Sequence, residues 1–229
     1  MSRLFKNQSE VISMVNALLM ALVGGYLDIY TYLARGKVFA NTQTGNLVLL
    51  GYNMAERNGK KVIYYILPIG FFMCGVALAE FIEHKWKERE KLRWLHITLG
   101  LEIIMLFVVM MIPNGDWNVV ANTFVSFVCG LQVQTFRKVN GISYSTTMFT
   151  GNLKNAAERL SNYAITNENQ ALQSGKVYCA IIAMFILGAY IGDLLTSAFH
   201  MRAVGFVNIL LVVVFILLSY EKSYENKKS

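Results

Sequence analysis

The feature that most restricts the fold of this chain is a series of apolar runs about as long as a bilayer is thick. Six are present, at residues 11–33, 62–82, 94–112, 119–136, 177–199 and 203–220. About 20 helical residues cross a hydrocarbon core of ~30 Å. Lipid offers no partner to a backbone N–H or C=O, so such runs must be helices that satisfy themselves. The charges are few and segregated: 15% of the 229 residues are charged and 55% are hydrophobic, where a soluble domain carries about 25% charge. The expected fold is an all-α membrane protein with about six transmembrane helices.

Two further stretches, 38–54 and 144–160, are partly apolar but rich in Thr, Asn and Gly. The second carries Lys154, Glu158 and Arg159, which are costly in hydrocarbon. The basic residues arbitrate between six and eight crossings, because cytoplasmic loops collect them. Loop 84–93 holds Lys85, Lys87, Arg89, Lys91 and Arg93 and belongs in the cytoplasm, whereas loop 113–116 has no basic residue and belongs outside. Six crossings put 15 of the 21 Lys and Arg inside, with both termini cytoplasmic; eight divide them ten and ten, with Lys154 in a span. Six is therefore expected, with 38–54 and 144–160 as broken or re-entrant segments. The organisation becomes a cytoplasmic N-terminus at 1–10, a first membrane unit at 11–112, a second at 117–220 and a cytoplasmic tail at 221–229. The run at 11–33 follows Arg3 and Lys6 as a signal peptide would. It is too long for one, contains Asp28 and lacks a small-residue cleavage pattern, so it reads as a retained span.

The two units are divergent repeats. An offset of 106 places Asn16 on Asn122, Gly24 on Gly130, and Thr44-Gly45-Asn46-Leu47 on Thr150-Gly151-Asn152-Leu153. After a change in loop length, an offset of 113 places Tyr65 on Tyr178, Phe72 on Phe185, Gly75 on Gly188 and Glu80 on Asp193. A unit with three full crossings leaves the membrane on the opposite face, so its copy inserts upside down. Inverted repeats with interrupted segments are a common architecture of secondary transporters, with the solute bound near the midplane. If the T-G-N segment crossed fully, the copies would be parallel.

Asp28 is the leading functional candidate, since a carboxylate at membrane depth is expensive and marks function by default; it also serves as a candidate for proton or cation coupling. Its repeat counterpart is Gln134, with Gln132 two positions earlier. The second candidates are Thr44, Gly45 and Asn46 with Thr150, Gly151 and Asn152. Glycine lets the backbone bend, Thr and Asn can cap a following helix, and a helix N-terminus favours anionic groups. Small polar residues also glue membrane helices together, which is the competing structural role. Asn16 and Asn122 could line one cavity or bond across helices. Glu102 is a second coupling candidate. Glu80 and Asp193 read as structural, pairing with Lys85 or Arg202.

The net charge of +7 reflects topology signals beside spans rather than a nucleic-acid surface, for no nucleic-acid-binding motif accompanies it. Cys74, Cys129 and Cys179 lie in apolar runs and read as buried small hydrophobes. No spacing suggests a metal site, no cofactor is implied, and no nucleophile elbow, zincin or P-loop pattern marks an enzyme.

The segment 24–51, with Gly25, Asp28, Phe39, Thr44, Gly45 and Asn46, followed in the second half by Gly130-Leu131-Gln132 and Thr150-Gly151, resembles the YoaK family of small bacterial integral membrane proteins. That family often has Asn after the glutamine, where this chain has Val133. The resemblance covers nearly the whole chain and implies about six helices in a bacterial plasma membrane, without a substrate. The function expected is a secondary transporter or permease of a small solute, embedded in the lipid bilayer, with a homodimer compatible. The alternatives are a solute or ion channel and a non-transporting membrane partner protein.

Overall fold

The computed structural model describes residues 8–86 and 93–226, with side chains described for 9–86 and 94–220. The basic residues Arg3, Lys6, Lys87, Arg89, Lys91, Lys227 and Lys228, on which much of the expected orientation rests, lie outside the described residues.

The chain is almost entirely helical. The elements are α1 (Gln8–Ala34), α2 (Gln43–Ala55), α3 (Gly59–Trp86), α4 (Arg93–Met111), α5 (Asn118–Thr135), a short hairpin of β1 (Lys138–Val139) and β2 (Ile142–Ser143), α6 (Phe149–Thr166), α7 (Asn169–Phe199), a 3-10 turn (His200–Val204) and α8 (Gly205–Asn226). Four stretches among the described residues are long and apolar enough to cross a membrane: Ser9–Ala34, Gly59–Trp86, Trp94–Met111 and Asn169–Tyr220. The last comprises α7 and most of α8 around the 3-10 turn. The protein is thus an all-α membrane protein. Pro68 lies within α3 without ending it, as membrane helices tolerate.

Helix α5 is missing from those stretches for a physical reason. It carries Asn118, Asn122, Thr123, Ser126 and Gln132, all buried within the protein. Its polar side chains face neighbouring helices rather than lipid, so hydropathy undervalues it. Around it lies a continuous apolar core from α1, α4, α5, α7 and α8, including Met20, Leu27, Leu106, Val128, Ile181 and Leu211.

Contacts across the fold fix the helix directions. Arg35 reaches Asn118, Gln132 reaches Met20 and Asn140 reaches Glu10, so α1 and α5 run antiparallel. Helix α1 runs parallel to α7, since Leu22 abuts Gly188, Tyr26 abuts Gly192 and Tyr30 bonds Met201. Helix α3 runs parallel to α5, since Tyr64 meets Asn122, Phe72 meets Gly130 and Glu83 pairs with Arg137. Both pairs touch backbone to backbone through glycine. A Cβ on Gly25 would strike the Phe185 carbonyl, and one on Gly188 the Leu22 carbonyl. A Cβ on Gly130 would strike the Phe72 carbonyl, and one on Gly75 the Phe127 carbonyl. The second crossing is the first displaced by 105 residues in one helix and 113 in the other. Gly130 therefore answers Gly25 and not Gly24, so the ungapped offset of 106 is one residue too long through the first helix.

The short helices begin deep and return. Asn41 at the foot of α2 bonds the Gly24 carbonyl, and Gln43 reaches Ser126 in the middle of α5. From there α2 runs back toward the end where α1 finished, and α3 starts beside it, with Tyr64 donating to the Arg35 carbonyl at 2.8 Å. In the same manner Thr146 presses on Gly24, and Phe149 stacks on Phe185 at 3.8 Å between centroids. From there α6 runs back toward the hairpin end, where Tyr178 of α7 donates to the Ser143 carbonyl. The hairpin turns on Asn140 and Gly141, both with positive φ, as the two-residue type I′ turn requires. Cys129 is buried, but Cys74 and Cys179 are exposed on the outer surface; the expectation of three buried thiols is corrected there.

Candidate functional site

Helices α2 and α6 are both amphipathic pieces that start in the interior, and neither N-terminus is capped by a side chain. The first-turn amides of a helix have no intrahelical partners. The starts of α2 and α6 flank one cleft of about 750 Å³, lined by Thr42, Gln43 and Thr44 on one side and by Phe149, Thr150 and Gly151 on the other. Phe72 and Phe185, the residues at the two glycine crossings, also line it, with Leu47 and Met148 adding apolar wall. Among the described residues no charged side chain lines it. A second hollow of about 480 Å³ shares Ser143 and Asn155 with it and continues toward the hairpin, Arg159 and the start of α7.

The two helix starts are held by related but unequal devices. Asn46 reaches back seven residues to donate to the Phe39 carbonyl at 3.0 Å, and Asn152 does the same to the Ser145 carbonyl at 2.7 Å. The asparagines of the T-G-N segments therefore tie the entering strand to the helix; they sit inside the first turn and are not N-caps, as the sequence reading allowed. Ahead of α2, Asp28 gathers the chain. Its Oδ1 accepts the amides of Asn41 (3.1 Å) and Thr42 (3.2 Å), and its Oδ2 accepts the Thr42 hydroxyl at 2.6 Å. Ahead of α6 the equivalent amides, those of Thr147 and Met148, both donate to the Ser145 hydroxyl, at 3.2 and 2.8 Å. The neutral Ser145 does locally what the Asp28 carboxylate does from another helix.

The sequence candidates separate accordingly. Thr44, Thr150, Gly151 and Asn152 line the cleft. Asp28 stands directly behind it, 5% exposed, engaged with the loop. Gly45 and Asn46 support the start of α2 without lining the cleft, and Asn46 also donates to Gln43. Gln132 donates to the Met20 carbonyl, and Asn122 to the Arg35 carbonyl and Tyr64; both bind helix to helix. Gln134 turns away to hydrogen-bond Glu80, so the counterpart of Asp28 is Ser145 and not an amide of α5. Asn16 and Glu102 are buried, and neither side chain has a hydrogen-bond partner among the described residues. Glu80 pairs with Arg137 at 3.8 Å rather than with Lys85. Among the described residues no cluster of His, Cys, Asp or Glu could hold a metal.

Sequence reasoning missed Asn41, Thr42, Gln43 and Ser145. The offset of 106 aligns Asn41-Thr42 with Thr147-Met148, so the loops preceding the T-G-N segments were findable. Which acceptor their amides would choose was not.

The sequence profile of a family described as "Protein of unknown function (DUF1275)" matches residues 16–217, which takes in both helix starts and all the residues around the cleft. The chain belongs to the DUF1275 family. Among curated relatives of this DUF1275 protein is the UPF0700 transmembrane protein YoaK of Bacillus subtilis (strain 168), 26% identical over 190 residues, covering 80% of this chain and 83% of the relative. The resemblance read from the motifs thus holds. No solved structure matches the chain.

Proposed function

We propose that this DUF1275 protein is a secondary transporter or permease that binds a small solute in the cleft between α2 and α6. One observation carries the reading: two uncapped helix starts, related by an offset of 106, flank a single interior cleft. Paired broken segments in two halves are the usual setting of a midplane solute site. In this reading α1, α3, α4, α5, α7 and α8 cross the membrane, and α2 and α6 enter from opposite faces and return. The two units are then inverted, with three crossings each. The antiparallel course of α1 and α5 and the twice-built glycine crossing support that arrangement. The contacts of Asn140 with Glu10 and of His96 with Ser219 fit this reading's placement of both termini on one face. The excess of basic residues assigned to that side supports a cytoplasmic location for it in a bacterial cell.

The glycine crossings join α1 to α7 and α3 to α5, so each pair takes one helix from each unit. Alternating access would rock these two pairs against each other about the cleft. Glu102 is the coupling group we favour. An ionised carboxyl with no partner in the interior costs several kcal/mol, so a proton gained and lost there would be linked to the state of the bundle. Asp28 positions the start of α2 rather than touching solute.

Reconstituted protein should show saturable, concentrative uptake of a solute first found by thermal-shift screening. Flux that neither saturates nor concentrates would identify a channel instead. If proteoliposomes moved nothing while a co-purified protein accounted for every phenotype, the partner role would stand in place of transport.

A further inference from the structure

The segment that leads from α1 into α2 and the segment that leads from α5 into α6 are fastened very differently. Asn118, Asn122 and Ser126 are buried and four residues apart, so they form one stripe along α5. Each of them touches the segment after α1. Asn118 Oδ1 accepts from the Arg35 guanidinium at 3.4 Å. Asn122 Nδ2 donates to the Arg35 carbonyl, and the Ser126 hydroxyl to the Ala40 carbonyl, both at 2.8 Å. Tyr64 gives the Arg35 carbonyl a second donor, and a Cβ on Gly36 would strike the Tyr64 hydroxyl. Val38 and Ala40 are fully buried. The cleft lining begins at Asn41, so residues 35–40 stand as a wall between the cleft and the Arg35 end of the bundle.

The glycine crossings set the register between α1 and α5, with Gly25 answering Gly130 and Leu22 answering Phe127. That register carries the α5 stripe onto Ser13, Ala17 and Ala21. Alanine has no side-chain donor, so α1 cannot clasp the hairpin segment as α5 clasps 35–40. The hairpin is held by the Tyr178 hydroxyl, which donates to the Ser143 carbonyl, and by Asn140, which donates to the Glu10 carbonyl. Beside it lies the hollow of about 480 Å³, lined by Gly141, Ile142 and Ser143 and reaching the exposed Arg159 and Glu168. This hollow shares Ser143 and Asn155 with the cleft. The cleft is therefore continuous with the hairpin end and walled off from the Arg35 end.

We propose that this is the state of the transporter open toward the hairpin end, and that the clasp of Asn122, Ser126 and Tyr64 on residues 35–40 is the closure that must break for the cleft to open the other way. The inference rests on the proposal that the cleft is the solute site. Non-helical backbone at membrane depth is tolerated where it is buried in protein or lines a water-filled cavity. Clasped, the Arg35 and Ala40 carbonyls meet the first condition; released into an open path, they would take water in place of the α5 donors. Exchanging a protein hydrogen bond for one to water costs little net, which suits a closure that opens and shuts in every cycle.

The test reads access to the cleft from each membrane face and needs no solute. Single cysteines in the full-length chain are labelled with a charged, membrane-impermeant maleimide in intact cells and in inside-out vesicles. The unaltered chain, with its own three cysteines, gives the background. Asn167→Cys marks the hairpin face and Asn58→Cys the Arg35 face. Thr150→Cys, in the cleft wall, should label at least about tenfold faster from the hairpin face than from the Arg35 face. Adding Ser126→Ala, or separately Tyr64→Phe, should speed labelling from the Arg35 face by about two- to tenfold. Thr123→Val is the control, because the Thr123 hydroxyl bonds the Val119 carbonyl within α5; it should leave both rates as they were. Elution as a monodisperse peak checks the fold of each variant. Equal labelling of Thr150→Cys from both faces without a second substitution would overturn the assignment. So would indifference to both Ser126→Ala and Tyr64→Phe, or labelling of the two markers from a single face. The expected rates in a protein that moves nothing in proteoliposomes would refute transport and leave the closure standing. Saturable uptake with the Arg35-face rate unmoved by either variant would do the reverse.

Discussion

Alanine at Gly188 should destabilise the bundle, because the α1–α7 crossing has no room for a methyl group. A Cβ there would lie 2.8 Å from the Leu22 carbonyl carbon and 2.9 Å from its Cα, and closer still to the oxygen. All three are backbone atoms of a helix and cannot rotate away, so the two helices must separate. The separation also loosens Gly25 against Phe185 and Gly192 against Tyr26 and Ile29. Overpacking of this kind costs about 1–3 kcal/mol, and contact with rigid backbone argues for the upper part of that range. Alanine's better helix propensity returns up to about 1 kcal/mol. The net loss is about 1–2 kcal/mol, or about 2–8 °C in apparent Tm for a chain of this size. Gly70→Ala and Gly100→Ala are the controls, since a Cβ at either meets nothing within 4 Å; both should be neutral or slightly stabilising. The assay is thermal unfolding in detergent, followed by intrinsic tryptophan fluorescence. Because Gly25 and Gly188 serve one crossing, Gly25→Ala with Gly188→Ala should cost less than the sum of the singles. A Gly188→Ala protein as stable as Gly70→Ala would refute the packing argument, and with it the close α1–α7 approach.

Arg35 is fully buried, and its guanidinium donates to Tyr30, to the carbonyls of Val109, Ile112 and Pro113 at the end of α4, and to Asn118. Arg35→Met should lower stability by about 2–4 kcal/mol by orphaning those acceptors, and Arg35→Lys should not restore it, because an ammonium cannot reproduce the fork; thermal shift reads both. Asp28→Asn keeps the shape but removes one of the two acceptor oxygens, so it should cost about 1–3 kcal/mol and reduce solute binding through the displaced start of α2, whereas Gln134→Ala should leave binding unchanged by calorimetry. Cysteines introduced at the exposed Asn58 and Asn167 should label from opposite faces of intact membranes if the units are inverted; labelling from one face would mean parallel units.

Much of the architecture was legible in the sequence because a bilayer imposes a length. Each of the six apolar runs corresponds to a helix, from 11–33 within Gln8–Ala34 to 203–220, which overlaps Gly205–Asn226. The ambiguous stretches 38–54 and 144–160 each contain the start of a short helix, α2 or α6. The Asn140-Gly141 turn was also there to be read. The repeat located the T-G-N segments that meet at the cleft, but the register through α1 was off by one residue, since identity cannot reveal which glycine faces a neighbouring backbone.

By itself, then, the sequence determined a helical membrane protein with one break after its first long helix and another after α5. Length, hydropathy and spacing are local quantities, and they suffice for that. Tertiary structure alone decided the partners. It spent Asp28 on the loop before α2, turned Gln134 to Glu80 and put Ser145 where a second carboxylate might have stood. Hydrogen bonds between residues far apart in the chain depend on which helix faces which, and that is settled by glycine crossings no linear pattern displays.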